Sequence, residues 1–377
     1  MAPVKRCLPL APALVAGLVL CAAAGAAGPT VSARAYVIQN AATGEVLAAR
    51  HSRQRLPIAS ITKLMTVLVA LDHARPDQPI VVSRAAANVA GSQAGLYEGQ
   101  TFTVRELVGA ALVPSANDAA DALADGISKG RRALFVRWMN AKARALGMTD
   151  THFVRPEGLD APGHLSSARD VVILAEEAMR QPLVRAVVRL PAIEIGGRRL
   201  LSRNDLLRTF PGILGVKTGT TDRAGWSQVA AARRDAVTVY AVVLGSANRG
   251  ARNRDAAALL DWGLDRYRTI RAIAPGKVYA RARLPYDARP LDLVATQQAW
   301  RVVHADRALV ERVIAPAALA LPVRRGQELG VLRVYEGRTL VASSPLVAAR
   351  SVARPPLGDR LAFYARRTAH HVWSWVP

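Results

Sequence analysis

Lysine is scarce in this chain of 377 residues. Lys and Arg together number 51, but lysine contributes six of them: Lys5, Lys63, Lys129, Lys142, Lys217 and Lys277. Arginine keeps its proton in proteins, whereas a buried lysine can lose its proton and act as a base. Because the chain supplies most of its positive charge as arginine, a lysine that stands in a recognisable motif invites a chemical interpretation.

Cysteine is scarcer still, and both cysteines, Cys7 and Cys21, lie in the first 27 residues. Residues 1–27 are typical of a signal peptide, with a basic start, an apolar stretch and small residues at the end. We expect cleavage there, which would leave an exported protein without disulfide or thiol chemistry. An uncleaved anchor is the alternative, as is a lipoprotein built on Cys21, although the bulky Leu20 before it argues against that.

Acidic residues are few beside the basic ones, 28 against 51, so the net charge is +23. Such a charge suits nucleic acid, an anionic membrane or an anionic polymer. The arginines are scattered, and the sequence has no RNA-binding aromatic motif or zinc finger, so we expect no nucleic-acid partner. It also lacks His-Glu-x-x-His, which argues against a metallopeptidase. Gly-x-Ser-x-Gly occurs once, at residues 126–130, but there it follows a predicted helix and not a strand, which argues against an α/β-hydrolase. We expect no metal and no cofactor.

Hydrophobic periodicity predicts an α+β domain over residues 28–269. A hairpin is predicted at 35–50 and two paired strands at 225–246, so strands from both ends of the domain would meet in one antiparallel sheet. The predicted helices are 60–72, 104–112, 118–125, 132–146, 170–179 and 252–268.

The hydrophobic pattern of the sequence changes after this domain. Residues 270–353 have short apolar runs broken by Pro and Gly, which predicts a small all-β domain. After Pro355-Pro356, residues 354–377 form an amphipathic pattern with apolar side chains on one face and arginines elsewhere. We expect an interfacial helix that holds the protein on a membrane surface. The alternative is a helix docked on its own protein.

Three short motifs could carry chemistry. Ser60 precedes Lys63 by one helical turn at the start of an apolar helix, so the two side chains would share a face. The helix N-terminus favours developing negative charge at Ser60, and a desolvated Lys63 among cationic neighbours would have a lowered pKa and could take the serine proton. An ordinary Ser N-cap beside a solvated Lys is the alternative.

The other two motifs are Ser115-Ala116-Asn117 and Lys217-Thr218-Gly219. The first lies in a turn between two predicted helices; the second ends a strand, where Gly219 lets backbone approach a ligand. A hairpin turn with a surface lysine is the alternative for the second. A second copy of the first, beginning at Ser246, merely follows a buried strand, so we favour Ser115 and Asn117.

Ser-x-x-Lys, Ser-x-Asn and Lys-Thr-Gly in this order are typical of penicillin-binding proteins and class A β-lactamases. The chain resembles the low-molecular-mass penicillin-binding proteins, the serine-type D-alanyl-D-alanine carboxypeptidases, over nearly all of residues 28–377. Supporting stretches are PIASITKLMT, LVPSANDAADALAD, HLSSARDVVILA and GVKTGTTDRAGW. The resemblance implies a β-lactamase/transpeptidase-like catalytic domain and a location on the periplasmic face of the cytoplasmic membrane.

The resemblance also implies a role for each residue. Ser60 would be the nucleophile, Lys63 the general base, Ser115 a proton relay, and Asn117 would orient Lys63 and the substrate amide. The substrate-binding residues would be Lys217, Thr218, Gly219, Thr220 and Arg252.

Within that set, Lys217 and Thr218 would bind the terminal carboxylate, and the backbone N–H groups of Ser60 and Thr220 would form the oxyanion hole. Arg252 would assist carboxylate binding, with Arg254 a close competitor. Thr220 stands where some members have His, which bears on substrate preference.

The expected substrate is the pentapeptide stem of peptidoglycan, and β-lactam antibiotics are expected to acylate Ser60. A D,D-endopeptidase and a β-lactamase are the alternatives. A β-lactamase normally has one domain and a deacylating Glu, for which the sequence offers no clear candidate. A non-catalytic envelope-binding protein is disfavoured because the motif set is intact.

Overall fold

The computed structural model describes residues 28–286 and 289–373. The predicted signal peptide, residues 1–27, and the last residues of the predicted tail helix, 374–377, lie outside the described residues. Within them the chain forms two compact units. The larger contains residues 28–271 and Trp300–Ala305, and the smaller contains Ala272–Ala299 and the residues from Asp306 onward.

The larger unit contains both helices and strands. Its helices are η1 (Ala59–Thr62, a 3₁₀ turn), α1 (Lys63–His73), α2 (Arg84–Ala87), α3 (Val104–Leu112), α4 (Asn117–Ser128), α5 (Arg132–Ala145), α6 (Ala168–Arg180), α7 (Pro182–Val187), α8 (Leu206–Thr209) and α9 (Arg249–Leu264). Its first strands are β1 (Ala35–Asn40), β2 (Val46–Arg50), β3 (Pro79–Val81), β4 (Thr101–Thr103), β5 (Ala192–Ile195), β6 (Arg198–Leu201), β7 (Ile213–Thr221), β8 (Gly225–Arg234) and β9 (Val237–Ser246).

Five of these strands form one antiparallel sheet in the order β2-β1-β9-β8-β7. Val37 of β1 lies opposite Val242 of β9, so the two ends of the domain meet as the sequence predicts. Side chains alternate between the two faces of a strand. Val242 accordingly packs into the core under α1, α3, α4 and α6, whereas Val243 packs against α9. The sheet lies between these two helical layers, and the α+β prediction is confirmed.

All six predicted helices are present, and all but the one predicted at 104–112 have shifted ends. The predicted helix 252–268 is α9, which begins three residues earlier because the Asn248 side chain accepts a 2.8 Å hydrogen bond from Ala251 N and caps it. It ends at Leu264, and the chain continues as a strand from Tyr267. Asn248 thus has a structural role, which accounts for the second Ser-Ala-Asn sequence.

The remaining strands are β10 (Tyr267–Ile273), β11 (Val278–Ala282), β12 (Leu291–Ala295), β13 (Ala299–His304), β14 (Leu309–Ile314), β15 (Glu328–Glu336) and β16 (Thr339–Ala348). β10 pairs with β13, and the smaller unit has a sheet in the order β11-β12-β16-β15-β14.

The smaller unit also contains helix α10 (Leu357–Trp373). Phe363 and Tyr364 contact the Tyr286 ring edge-on, with ring centroids 5.5 and 6.0 Å away. Leu357 and Leu361 remain exposed. None of the helices in the described part of the chain is long and apolar enough to cross a membrane.

Candidate active site

Ser60 and Lys63 lie at the junction of η1 and α1, one turn apart. Lys63 Nζ lies 2.8 Å from Ser60 Oγ. Ser60 is half-buried and therefore accessible, whereas Lys63 is fully buried. A serine hydroxyl within hydrogen-bond reach of a base is the arrangement that activates a nucleophile.

Lys63 has two further partners from distant parts of the chain. Its Nζ donates to Asn117 Oδ1 at 2.6 Å and to the backbone carbonyl of Glu157 at 2.8 Å. The Asn117 amide nitrogen in turn donates to Ala90 O at 2.6 Å, which fixes the amide orientation. Asn117 thus lies in direct contact with the Lys63 amine, and Glu157 is a contact that sequence reasoning missed.

Burial lowers the pKa of Lys63 from 10.5 to about 7. The neighbouring charges that act on it are carboxylates, chiefly Glu157 and Asp121, and they oppose this change. The expectation of a pKa lowered by desolvation therefore agrees with the structure, but the expected contribution from cationic neighbours was wrong, because the charges that act on Lys63 are carboxylates. At neutral pH a substantial fraction of Lys63 is the neutral amine, which can accept a proton.

Ser115 and Lys217 form a second pair. Ser115 lies in the turn between α3 and α4 with φ +68°, and its Oγ accepts a 2.7 Å hydrogen bond from Lys217 Nζ. Lys217 also donates to Thr218 O at 2.9 Å. Burial lowers the pKa of Lys217 well below its usual value, and the positive charge of Lys63 lowers it further.

Strand β7 passes close to the nucleophile. A Cβ added to Gly219 would lie 2.7 Å from Ile58 O and 3.1 Å from Ser60 N, so a side chain there would push the strand away. Thr218 is buried and Thr220 is exposed on the same strand. Gly219 therefore lets β7 lie directly against η1, beside the backbone of Ser60.

Arg252 and Arg254 have different surroundings. Arg252 is buried, lies 5.6 Å from the Trp226 ring and is bonded to Asp205 at 3.1 Å. Its charge contributes to lowering the pKa of Lys217, which places it in electrostatic reach of that amine. Arg254 is exposed and is not among the charges that act on Lys217.

Sequence reasoning missed a buried group of charges behind Lys63. Arg132 bridges Asp121 at 2.8 Å and Glu157 at 2.7 Å, and Arg155 also contacts the Glu157 carboxylate. No motif links these residues, because they lie on α4, on α5 and in the segment after α5. A helical pattern with acidic residues at buried positions of α4 was the available signal.

The comparisons agree with this geometry. Residues 22–248 match the D-alanyl-D-alanine carboxypeptidase family. The chain is 33% identical over 361 residues to D-alanyl-D-alanine carboxypeptidase DacD of Escherichia coli K12, covering 90% of this chain and 92% of the relative. It is 31% identical to DacF of Bacillus subtilis 168, with 84% and 85% covered. This chain belongs to the D-alanyl-D-alanine carboxypeptidase family.

Solved structures give the same result. Penicillin-binding protein 6B from Escherichia coli superposes with a TM-score of 0.65 at 29% identity, covering 85% of this chain and 96% of that one. The Streptomyces K15 DD-transpeptidase superposes with a TM-score of 0.60 at 31% identity, covering 63% of this chain and 98% of that one. The fold is that of the penicillin-binding proteins.

Proposed function

We propose that this protein is a serine-type D-Ala-D-Ala carboxypeptidase that removes the terminal D-alanine from peptidoglycan pentapeptides. The observation that carries the proposal is the 2.8 Å contact between Ser60 Oγ and a buried Lys63 whose pKa is lowered to about 7. Penicillin, which mimics the acyl donor, would acylate the same serine.

In the first half of the reaction, neutral Lys63 accepts the Ser60 proton and Oγ attacks the carbonyl of the penultimate D-alanine. The backbone N–H groups of Ser60 and Thr220 bind the oxyanion. When the C–N bond breaks, the proton that Lys63 took from Ser60 passes through the Ser115 hydroxyl, which Lys217 holds, to the leaving amine, and Lys63 becomes neutral again. The penultimate residue remains as an ester on Ser60.

Water then hydrolyses the ester, again with Lys63 as the base. A class A β-lactamase would place a glutamate at this step. Glu157 touches Lys63 through its backbone carbonyl, but its carboxylate is bonded to Arg132 and Arg155 instead. This favours a carboxypeptidase, in which the penicilloyl ester persists, over a β-lactamase.

Selection for a free terminal carboxylate would come from Lys217, Thr218 and Arg252. A buried cation without a counter-ion is costly, and an arriving carboxylate supplies that counter-ion. Burial and the nearby Arg252 charge disfavour the protonated form of Lys217, and an arriving carboxylate would stabilise that form. A cross-linked peptide has no free carboxylate at this position, so we expect carboxypeptidase rather than D,D-endopeptidase action.

We also propose four functional segments: a signal peptide (1–27), the catalytic domain (28–269), a β-rich domain (270–353) and an anchor (354–377). The protein would be exported and held peripherally on the periplasmic face of the cytoplasmic membrane. Support for the anchor comes from the exposed apolar side chains of Leu357, Leu361 and Tyr364 on α10, with Arg360 nearby. An interfacial helix combines these features.

The function is tested by incubating the purified enzyme with a pentapeptide and, separately, with a cross-linked muropeptide. Release of D-alanine from the first without cleavage of the second is the expected result. Mass spectrometry after incubation with penicillin should locate the adduct on Ser60, and Ser60→Ala should give none. An adduct on another residue, or D-alanine release by Ser60→Ala, would exclude the mechanism.

A further inference from the structure

A buried ion cluster, formed by Asp121, Arg132, Arg155 and Glu157, lies behind the base. The side chains of Asp121 and Glu157 are 1% and 0% exposed, although both carry carboxyl groups. Arg132 holds one oxygen of each, with Nη1 2.8 Å from Asp121 Oδ2 and Nη2 2.7 Å from Glu157 Oε2. Burial of a carboxylate has a large desolvation cost unless the charge is paired, so two buried carboxylates behind Lys63 suggest a function.

The cluster touches the base through one residue. Glu157 is bonded through its carboxylate to Arg132 and Arg155, while its backbone carbonyl accepts the 2.8 Å hydrogen bond from Lys63. The arginines therefore fix the segment that presents this carbonyl. Movement of the Glu157 side chain would shift the acceptor that orients the Lys63 amine.

We propose that the buried ion cluster positions Lys63 and sets the pH range over which it accepts the proton of Ser60. This inference rests on the proposed role of Lys63 as the base. The cluster residues act through Lys63 and do not touch the reacting atoms, so they are positioning residues.

The titratable groups that interact with Lys63 come from three parts of the fold. Helix α4 contributes Asp118 and Asp121, the segment after α5 contributes Glu157, and β7 contributes Lys217. The Asp118 carboxylate accepts hydrogen bonds from the backbone N–H groups of residues 94–96, and these bonds stabilise its charge. Glu157 and then Asp121 have the largest Coulombic effects on Lys63, and both stabilise its ammonium form.

Arg132 limits that effect. Without its guanidinium, Asp121 would lose its ion pair and Glu157 would keep only Arg155, so the ammonium form of Lys63 would persist to higher pH. Asp121 also reduces the negative charge near Lys63 when it is protonated. Burial and the Glu157 charge raise its pKa to about 7. Its Oδ1 has no hydrogen-bond partner among the described residues, and the proximity of the Glu157 carboxylate favours the protonated form of Asp121. The cluster thus loses negative charge near neutral pH.

The test compares the rate of Ser60 acylation by labelled penicillin from about pH 5 to about pH 9 in the full chain and three variants. Glu157→Gln keeps the backbone carbonyl and removes a charge, so the acid limb of the profile should move to lower pH by about half a unit or more. Asp121→Asn should move it in the same direction by less, since Asp121 is already partly protonated. Arg132→Met should move it to higher pH.

Asp72→Asn is the matched control, because Asp72 is a carboxylate at the far end of α1 paired with Lys142. Its profile should coincide with that of the unaltered chain. If Arg132→Met does not fold, the acid limbs of Glu157→Gln and Asp121→Asn still show whether the cluster sets the pH range. A cluster that is merely structural would lower the rate without moving the acid limb, and that result would overturn the inference.

A second measurement separates this inference from the proposed function. The chain has few lysines, so a protein labelled with ¹³C-lysine gives a simple NMR spectrum in which Lys63 is assigned by comparison with Lys63→Arg. Its titration midpoint should fall in Glu157→Gln whether or not penicillin reacts. Absence of a Ser60 adduct defeats the proposed function, whereas an unchanged Lys63 midpoint defeats the role of the cluster.

Discussion

Lys217 Nζ donates a 2.7 Å hydrogen bond to Ser115 Oγ, although the two residues are 102 positions apart. The bond joins β7 to the turn between α3 and α4. Ser115 has φ +68°, in the left-handed region that costs a non-glycine residue about 1 kcal/mol or more. Lys217 therefore holds the proposed proton relay in place, in addition to the role in carboxylate binding that the sequence suggests.

Substitution of Lys217 by arginine should affect both substrate capture and turnover. The sequence alone predicts mainly weaker capture, but the planar guanidinium cannot keep the same bond to Ser115 in a fully buried site. We expect KM for the pentapeptide to rise and kcat to fall, each by about tenfold or more. Steady-state kinetics of D-alanine release measures both. Lys129→Arg, on an exposed lysine, is the control, and a rise in KM with unchanged kcat would show that the Ser115 contact is dispensable.

Substitution of Lys63 by arginine should abolish acylation. Arginine keeps its proton at accessible pH, so no base remains for Ser60. A loss of about 10³-fold or more in the acylation rate is expected, measured with labelled penicillin.

In the unaltered enzyme the rate should increase as the pH rises through about 7, because Lys63 becomes neutral above its pKa. A rate that decreases over this interval would exclude Lys63 as the base.

The contact between Ser60 and Lys63 could be predicted because the two residues are one turn apart, so their proximity follows from helix geometry. The meeting of β1 with β9 could be expected because both are apolar runs at the two ends of the domain. The position of Gly219 against Ile58 and Ser60 is a consequence of the tertiary fold, and spacing does not reveal it.

Desolvation of Lys63 could be expected from its place in an apolar helix, but the carboxylates that oppose its effect on the pKa could not. Glu157, the strongest of them, is 94 residues away and belongs to no motif. The choice between Arg252 and Arg254 also needs the structure, because both lie on α9 and their exposure distinguishes them. Sequence gives the chemistry of the side chains, and the fold gives their surroundings.

Substitution of Gly219 by alanine tests the contact between β7 and η1. The added Cβ would meet backbone atoms of Ile58 and Ser60, which cannot rotate away as a side chain could. We expect the acylation rate to fall by about 10²-fold, since a displacement of this size at a reacting group has such an effect. Gly130→Ala is a control at a glycine with open space, though its φ of +75° costs some stability. Thermal unfolding separates that cost from catalysis, and normal acylation by Gly219→Ala would contradict the proposed contact.

Arg252 and Arg254 give a paired test of carboxylate binding. Arg252→Gln should lower kcat/KM for the pentapeptide by about tenfold to a hundredfold, because a buried cation near Lys217 is lost. Arg254→Gln should stay within about twofold, because exposed charges have little effect. Substrates with the terminal carboxylate converted to an amide should show no difference between the Arg252 variant and the unaltered enzyme. Equal losses in both arginine variants would refute the assignment.

Removal of residues 357–377 tests the anchor. The truncated protein should leave the membrane fraction and still release D-alanine, because the proposed catalytic residues lie in the larger unit. Leu357→Asp with Leu361→Asp in the full chain should reduce sedimentation with anionic vesicles by about tenfold or more, since both leucines are exposed and apolar. Asp359→Asn, on the same helix, should retain binding. If the double variant sediments as the unaltered chain does, α10 contacts the rest of the smaller unit instead of lipid.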